Sequence, residues 1–118
     1  RNARLYNELL KDIDDITPME MHYAKHVYHL YVIRTKKRDE MRDFLKSKGI
    51  STGIHYPTPL HLLNAYKYLK HRKGDFPVAE KCATEFLSLP MFPELEKEQI
   101  EFVSDMVRQL HEENRGYK

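Results

Sequence analysis

Tryptophan is absent, and cysteine occurs once in 118 residues, as Cys82. A single thiol excludes an internal disulfide and any cysteine-built metal cluster. Its apolar neighbours suit a small hydrophobic role in a reducing, cytoplasmic compartment. Glycine appears four times, at 49, 53, 74 and 116, too scattered to form a glycine-rich phosphate loop. No apolar run approaches the roughly 20 residues that would span a bilayer, so no membrane partner is expected. Neither sign of charge dominates: 20 Lys and Arg stand against 18 Asp and Glu, a net +2. That is too weak a balance to suggest nucleic acid as a partner. What is present is 41% hydrophobic and 32% charged residues, the mix of one globular domain with one core.

Along the chain, Leu5, Leu9 and Ile13 are spaced four apart, one face of an amphipathic helix over 1–13. Residues 14–26 lose that period and read as a connector around Pro18. "YHLYVIR", 28–34, reads as a strand covered on both faces. Met41, Phe44 and Leu45 give a second helix that Gly49 can end in a left-handed conformation. "ISTGIHY", 50–56, reads as a second strand. Residues 57–75 are irregular, with a helical turn over 61–69. In "FPVAEKCATEF", Val78, Ala79, Cys82, Ala83 and Phe86 fall on one helical face, and Pro77 suits the first turn. "LSLP", 87–90, reads as a third strand, and a last helix covers 96–113. Glu94, Glu96 and Glu98 favour its positive end in place of a Ser or Thr cap. The expected fold is α/β (α+β), a small three-stranded sheet packed with about four helices.

Few residues offer chemistry. His22, His26 and His29 have ligand-like spacing, but the strand after them breaks the helix that would align them, so no metal is expected. Ser51, Thr52 and Ser88 sit on strands, without a nucleophile elbow. The turn holding Lys67, Lys70, His71, Arg72 and Lys73 reads as a solvated basic turn. The stretch "STGIHYPTPLHLLNAY", 51–66, is different: it holds two histidines, two tyrosines and two prolines. Pro57 and Pro59 bar the helical conformation at Tyr56 and Thr58, holding the backbone extended. An extended backbone presents His55 and Tyr56 at fixed positions with little entropy to lose on binding. An imidazole can meet a phosphate or hydroxyl, and a phenol offers a flat face and a donor. His61 follows at the turn. The other reading of this stretch is a rigid crossover with satisfied polar groups.

"GIHYPTPLH", "FPVAE" and "LSLPMFPEL", in this order, resemble the small C-terminal domain of the DegT/DnrJ/EryC1/StrS family of sugar aminotransferases dependent on pyridoxal phosphate. The resemblance runs from the first helix to the last. It implies a fold-type-I enzyme whose large N-terminal domain carries the Schiff-base lysine and holds the cofactor phosphate. It implies a nucleotide-sugar substrate, an amino-acid amino donor and a homodimer with its site across the interface. Position by position, it places His55 nearest the substrate sugar or phosphates, Tyr56 beside it, and His61 on the outer pocket. Pro57 and Pro59 would shape the loop. Lys46, Lys48 and Lys67 are not in the setting of a Schiff-base lysine, so neither a catalytic residue nor cofactor binding is expected in these 118 residues. Glu96 and Asn64 depart from the common pattern, the first in helix capping and the second where substrate choice can vary.

The chain opens on Arg1 within a helical pattern, and residues 1–118 are therefore expected to be one domain of a longer two-domain enzyme. The rival expectation is a stand-alone binding or interaction module that uses the "HYPTPLH" edge for a ligand or partner.

Overall fold

The computed structural model describes residues 1–13, 15, 17–23, 25 and 29–116. Four helices and a two-stranded sheet form in the order α1 (Asn2–Leu9), β1 (Tyr31–Arg34), α2 (Arg38–Ser47), α3 (Pro77–Glu85), β2 (Phe86–Leu89) and α4 (Lys97–Gly116). Between α2 and α3 lie two short 3-10 helices, Leu60–Leu62 and Asn64–Leu69. The strands pair antiparallel, Tyr31 opposite Leu89 and Arg34 opposite Phe86. Tyr31 and Ile33 alternate inward along β1, as the period of two requires.

α1 and α2 both pack on α4. One buried cluster joins Ala3, Tyr6 and Leu10 of the first helix and its end to Met41 and Leu45, to Leu87 and Leu89, and to Ile100, Val103, Val107 and Leu110. The apolar period of 3.6 thus closes one core between helices and sheet. At its centre the rings of Tyr6 and Tyr31 stack, with centroids 4.7 Å apart. Each phenol has a partner. Tyr6 donates to the Pro90 carbonyl at 2.8 Å, and Tyr31 donates to Asn7 Oδ1 at 2.6 Å. Burial pushes the Tyr6 hydroxyl well above the ordinary tyrosine range, so it stays a donor.

The element ends follow local chemistry. Gly49 takes φ +80 after α2; its N–H reaches the Lys46 carbonyl and the Ile50 N–H reaches the Leu45 carbonyl. This pair of bonds satisfies orphan carbonyls, and glycine adopts the left-handed turn at little cost. At the start of α4, Gln99 Oε1 accepts from the Glu96 N–H at 2.9 Å, half of a capping box. The signal was in the sequence, a glutamine three residues after the cap. Arg34 bonds Glu85 Oε2 at 3.0 Å, and Arg38 donates to the Ala83 carbonyl, tying β1 and α2 to the end of α3.

Three expectations are corrected. Among the described residues the sheet has two strands, not three. Of 50–56 only Gly53 pairs, as a lone antiparallel bridge to Ser88. Gly53 and Ser88 exchange both backbone hydrogen bonds, at 3.0 and 2.7 Å. Beyond it the His55 side chain turns back onto Ser88, and Pro57 and Pro59 have no N–H to extend the ladder. Val78, expected on an apolar face, is 71% exposed. Cys82, expected in the core, is only half-buried. The start of the predicted first strand at Tyr28, and His26, lie outside the described residues.

Two buried hydroxyls should respond oppositely to removal. Tyr6→Phe strands the Pro90 carbonyl and should lower stability by about 1–2 kcal/mol. Ser104 is fully buried, and its Oγ has no partner among the described residues. Ser104→Ala removes that buried polar group and should raise stability by up to about 1 kcal/mol. Urea unfolding midpoints check both signs.

Candidate functional site

The site is built on the crossover between α2 and α3. The Gly53–Ser88 bridge anchors its near end to β2. Two residues on, the His55 ring folds back over Gly53, and its Nδ1 lies 2.8 Å from Ser88 Oγ. Only glycine allows this. A Cβ at position 53 would stand 2.6 Å from His55 Cε1. The peptide bond between His55 and Tyr56 is cis. Tyr56 packs edge-on against His55 at 5.6 Å and is 74% exposed. Pro59 is extended, with ψ 145, and its carbonyl accepts from the Leu62 N–H in the first 3-10 turn.

His55, Tyr56 and the two prolines form one wall of an open cavity of about 660 Å³. Thr58, Leu60 and Leu63 continue that wall. Ala79, Cys82, Ala83 and Phe86 form the opposite wall. The helical face read from the sequence is therefore real but lines a cavity more than a core. Its surface is mainly apolar, with the imidazole and phenol as its principal polar groups. Such a pocket holds the flat or apolar part of a ligand and orients it through a few hydrogen bonds.

His61 lies elsewhere. Its side chain is largely buried, with Nε2 3.3 Å from Glu80 Oε2 and its ring edge-on to Phe76 at 4.8 Å. His71 meets the same Phe76 ring at 4.9 Å and Asp75 Oδ2 at 3.5 Å. So the structure brings His55 and Tyr56 together on the cavity and sets His61 in a separate clasp that closes the crossover onto α3. Glu80 is the clasp's hub. Both its carboxylate oxygens accept from the Gly74 N–H at 2.8 Å, and Oε2 also accepts from Phe76 N–H. The Gly74 N–H chiefly, then the Phe76 N–H and His61, hold the Glu80 carboxyl below its ordinary range against the opposing effect of burial. Asp75 is lowered mainly by the Arg72 N–H and also by His71. Spacing gave no hint of this clasp, because nothing in the sequence pairs 61 with 80. Lys67, Lys70, Arg72 and Lys73 remain exposed on the turn.

Among the described residues no cluster of three His, Cys, Asp or Glu could hold a metal ion. No helix among them is long and apolar enough to cross a membrane.

Residues 1–108 match the model of the DegT/DnrJ/EryC1/StrS aminotransferase family. The chain belongs to that family. A "pleiotropic regulatory protein" of Geobacillus stearothermophilus is 44% identical over 94% of the chain and 31% of its own length. A dTDP-3-amino-3,4,6-trideoxy-alpha-D-glucose transaminase of Streptomyces venezuelae is 45% identical over 73% of the chain and 23% of its own length. In three dimensions the chain is similar to S. venezuelae DesV, solved with a ketimine intermediate. The TM-score is 0.90 at 38% identity, covering 94% of this chain and 30% of that one. A family aminotransferase from Brucella abortus gives 0.86 at 35% identity, covering 94% of this chain and 30% of that one. The chain thus spans about a third or less of the length of these relatives. The family expectation drawn from the sequence motifs stands.

The clasp makes a pH-dependent prediction for this family member. The folded Glu80 value is depressed, so the stability it gives is present above the ordinary glutamate value of 4.5 and lost as pH falls through the lower folded value. Amide exchange at Gly74 should be protected at pH 6 and lose that protection as pH falls below the ordinary glutamate value of 4.5 and through the lower folded one, beyond the intrinsic slowing of exchange in acid. Glu80→Ala should abolish the protection at pH 6 and leave no further loss on acidification. Unchanged Gly74 exchange in that variant would show that the clasp does not hold the turn.

Proposed function

We propose that residues 1–118 are the substrate-side domain of a pyridoxal-phosphate-dependent transaminase that aminates a keto sugar carried on a nucleoside diphosphate. The single observation that carries this reading is the placement of His55 and Tyr56, from the family's "GIHYP" stretch, together on the wall of one open cavity. Relatives named as transaminases of dTDP- and UDP-linked sugars supply the substrate class. His55 would donate or accept at a sugar or phosphate oxygen, and Tyr56 would lay its ring against the ligand and offer its hydroxyl. Both are positioning roles, holding the substrate in register. His61, clasped to Glu80, would act by fixing the crossover.

In this reading the cofactor is held outside residues 1–118. Every described lysine is exposed, and none lines the His55 cavity. We therefore assign the cofactor, the Schiff-base lysine and the transfer of nitrogen from an amino-acid donor to a large domain of the longer enzyme. A cytoplasmic homodimer is part of the same reading. Exposed apolar side chains support the pairing with further protein: Tyr56, Leu60, Tyr68, Leu69, Phe76 and Val78 all fall within 56–78.

Two outcomes test this function. In the longer enzyme, His55→Ala should raise KM for the sugar nucleotide about 10- to 100-fold, the loss of one hydrogen bond to a polar or charged oxygen. An unchanged KM would remove His55 from the substrate. With pyridoxal phosphate and borohydride, the longer enzyme should gain a fixed pyridoxyl label and residues 1–118 should not. A label fixed on one lysine of this chain would overturn the domain assignment.

A further inference from the structure

Ser88 sits in β2, nearly buried at 5% exposure. Its backbone N–H and carbonyl are both taken by Gly53, and its Oγ lies 2.8 Å from His55 Nδ1. Among the described residues Ser88 Oγ has no other partner. His55 Nε2 has none either, and His55 forms part of the cavity wall. These facts decide where the protons sit on a neutral ring. If Nδ1 carried the proton and donated it to Oγ, the serine's own proton would be buried without an acceptor. Leaving a buried donor unmade is the more costly arrangement. If the hydroxyl donates to Nδ1, both groups are satisfied and the ring proton must sit on Nε2.

We propose that Ser88 is a positioning residue for the site: its hydroxyl donates to His55 Nδ1, fixes the Nε2–H tautomer and so presents a hydrogen-bond donor to an oxygen of the ligand in the cavity. Gly53 completes the device. It is the backbone partner of Ser88 and, having no Cβ, it leaves the space in which the His55 ring lies. The same three residues join the first and last of the three motifs in space. "GIHYP" brings the glycine and the imidazole, and "LSLP" brings the hydroxyl. Read this way, the serine of "LSLP" is more than a packing residue. The identity of the ligand oxygen, on sugar or phosphate, rests on the function proposed above; the tautomer does not.

The deciding measurement is a long-range proton–nitrogen correlation spectrum of the 15N-labelled chain at pH 8. His55 should show an unprotonated Nδ1 and a protonated Nε2. A protonated Nδ1 would overturn the role of Ser88, whatever any variant does. In Ser88→Ala the His55 signals should move to the averaged positions of an unconstrained ring, and Ser88→Thr, which keeps the hydroxyl, should restore them. Signals unchanged in Ser88→Ala would also overturn it. In the longer enzyme, with dTDP-glucose as probe, Ser88→Ala should raise Kd about tenfold and Ser88→Thr should stay near wild type, the effect of one weakened hydrogen bond. The expected spectrum together with unaltered dTDP-glucose binding in His55→Ala would overturn the substrate-side reading alone.

Discussion

Two backbone hydrogen bonds between Gly53 and Ser88 tie the crossover from α2 to α3 onto the sheet, and the cavity depends on that tie. The bridge is short because prolines follow it. It is possible because position 53 carries no Cβ, where the His55 ring comes to rest. It also puts the Ser88 hydroxyl against the imidazole, so one contact sets the path of the chain and the orientation of the His55 ring. A longer strand here would have carried His55 along the sheet edge, away from the wall formed by α3.

The domain divides energetically into two parts. One is the closed core of α1, α2, α4 and the sheet, where Tyr6 and Tyr31 stack and every phenol oxygen has a partner. The other is the crossover, which buries little apolar surface of its own and carries exposed tyrosines and leucines. It is held at its ends, by the bridge to Ser88 and by the Glu80 clasp. Segments fastened at the ends and poor in buried contacts open at lower free energy than the core they rest on. For a wall proposed to meet a ligand and further protein, that is a workable arrangement. The stable scaffold fixes where the cavity is, and the fastened crossover decides which side chains face it.

α3 serves both parts. Its C-terminal end is tied to the core elements, where the Ala83 carbonyl and Glu85 carboxylate accept from Arg38 and Arg34. One face of the same helix, through Ala79, Cys82 and Ala83, lines the cavity. Small side chains on that face leave room between helix and crossover, and Glu80 at the helix start collects backbone N–H groups from the turn before it. A helix that looked like one apolar stripe in the sequence is therefore shared between the cavity, the clasp and the ties to β1 and α2.

Local periodicity determined the helices, the cap at Gly49 and the strand of Tyr31 and Ile33, because each depends on neighbours three, four or two residues away. The motif stretches determined the family, and with it the residues worth watching, His55, Tyr56 and His61. Tertiary structure decided the rest, since the contacts involved join residues that sequence spacing cannot relate. It reduced the second strand expected over 50–56 to one bridge, because the register of an edge is set by what stands opposite and by the prolines that follow. It moved Cys82 from core to cavity wall and exposed Val78, because burial depends on what packs over a face and not on the face alone. It separated His61 from His55 by giving it Glu80 and Phe76, and it joined His55 to Ser88, 33 positions away.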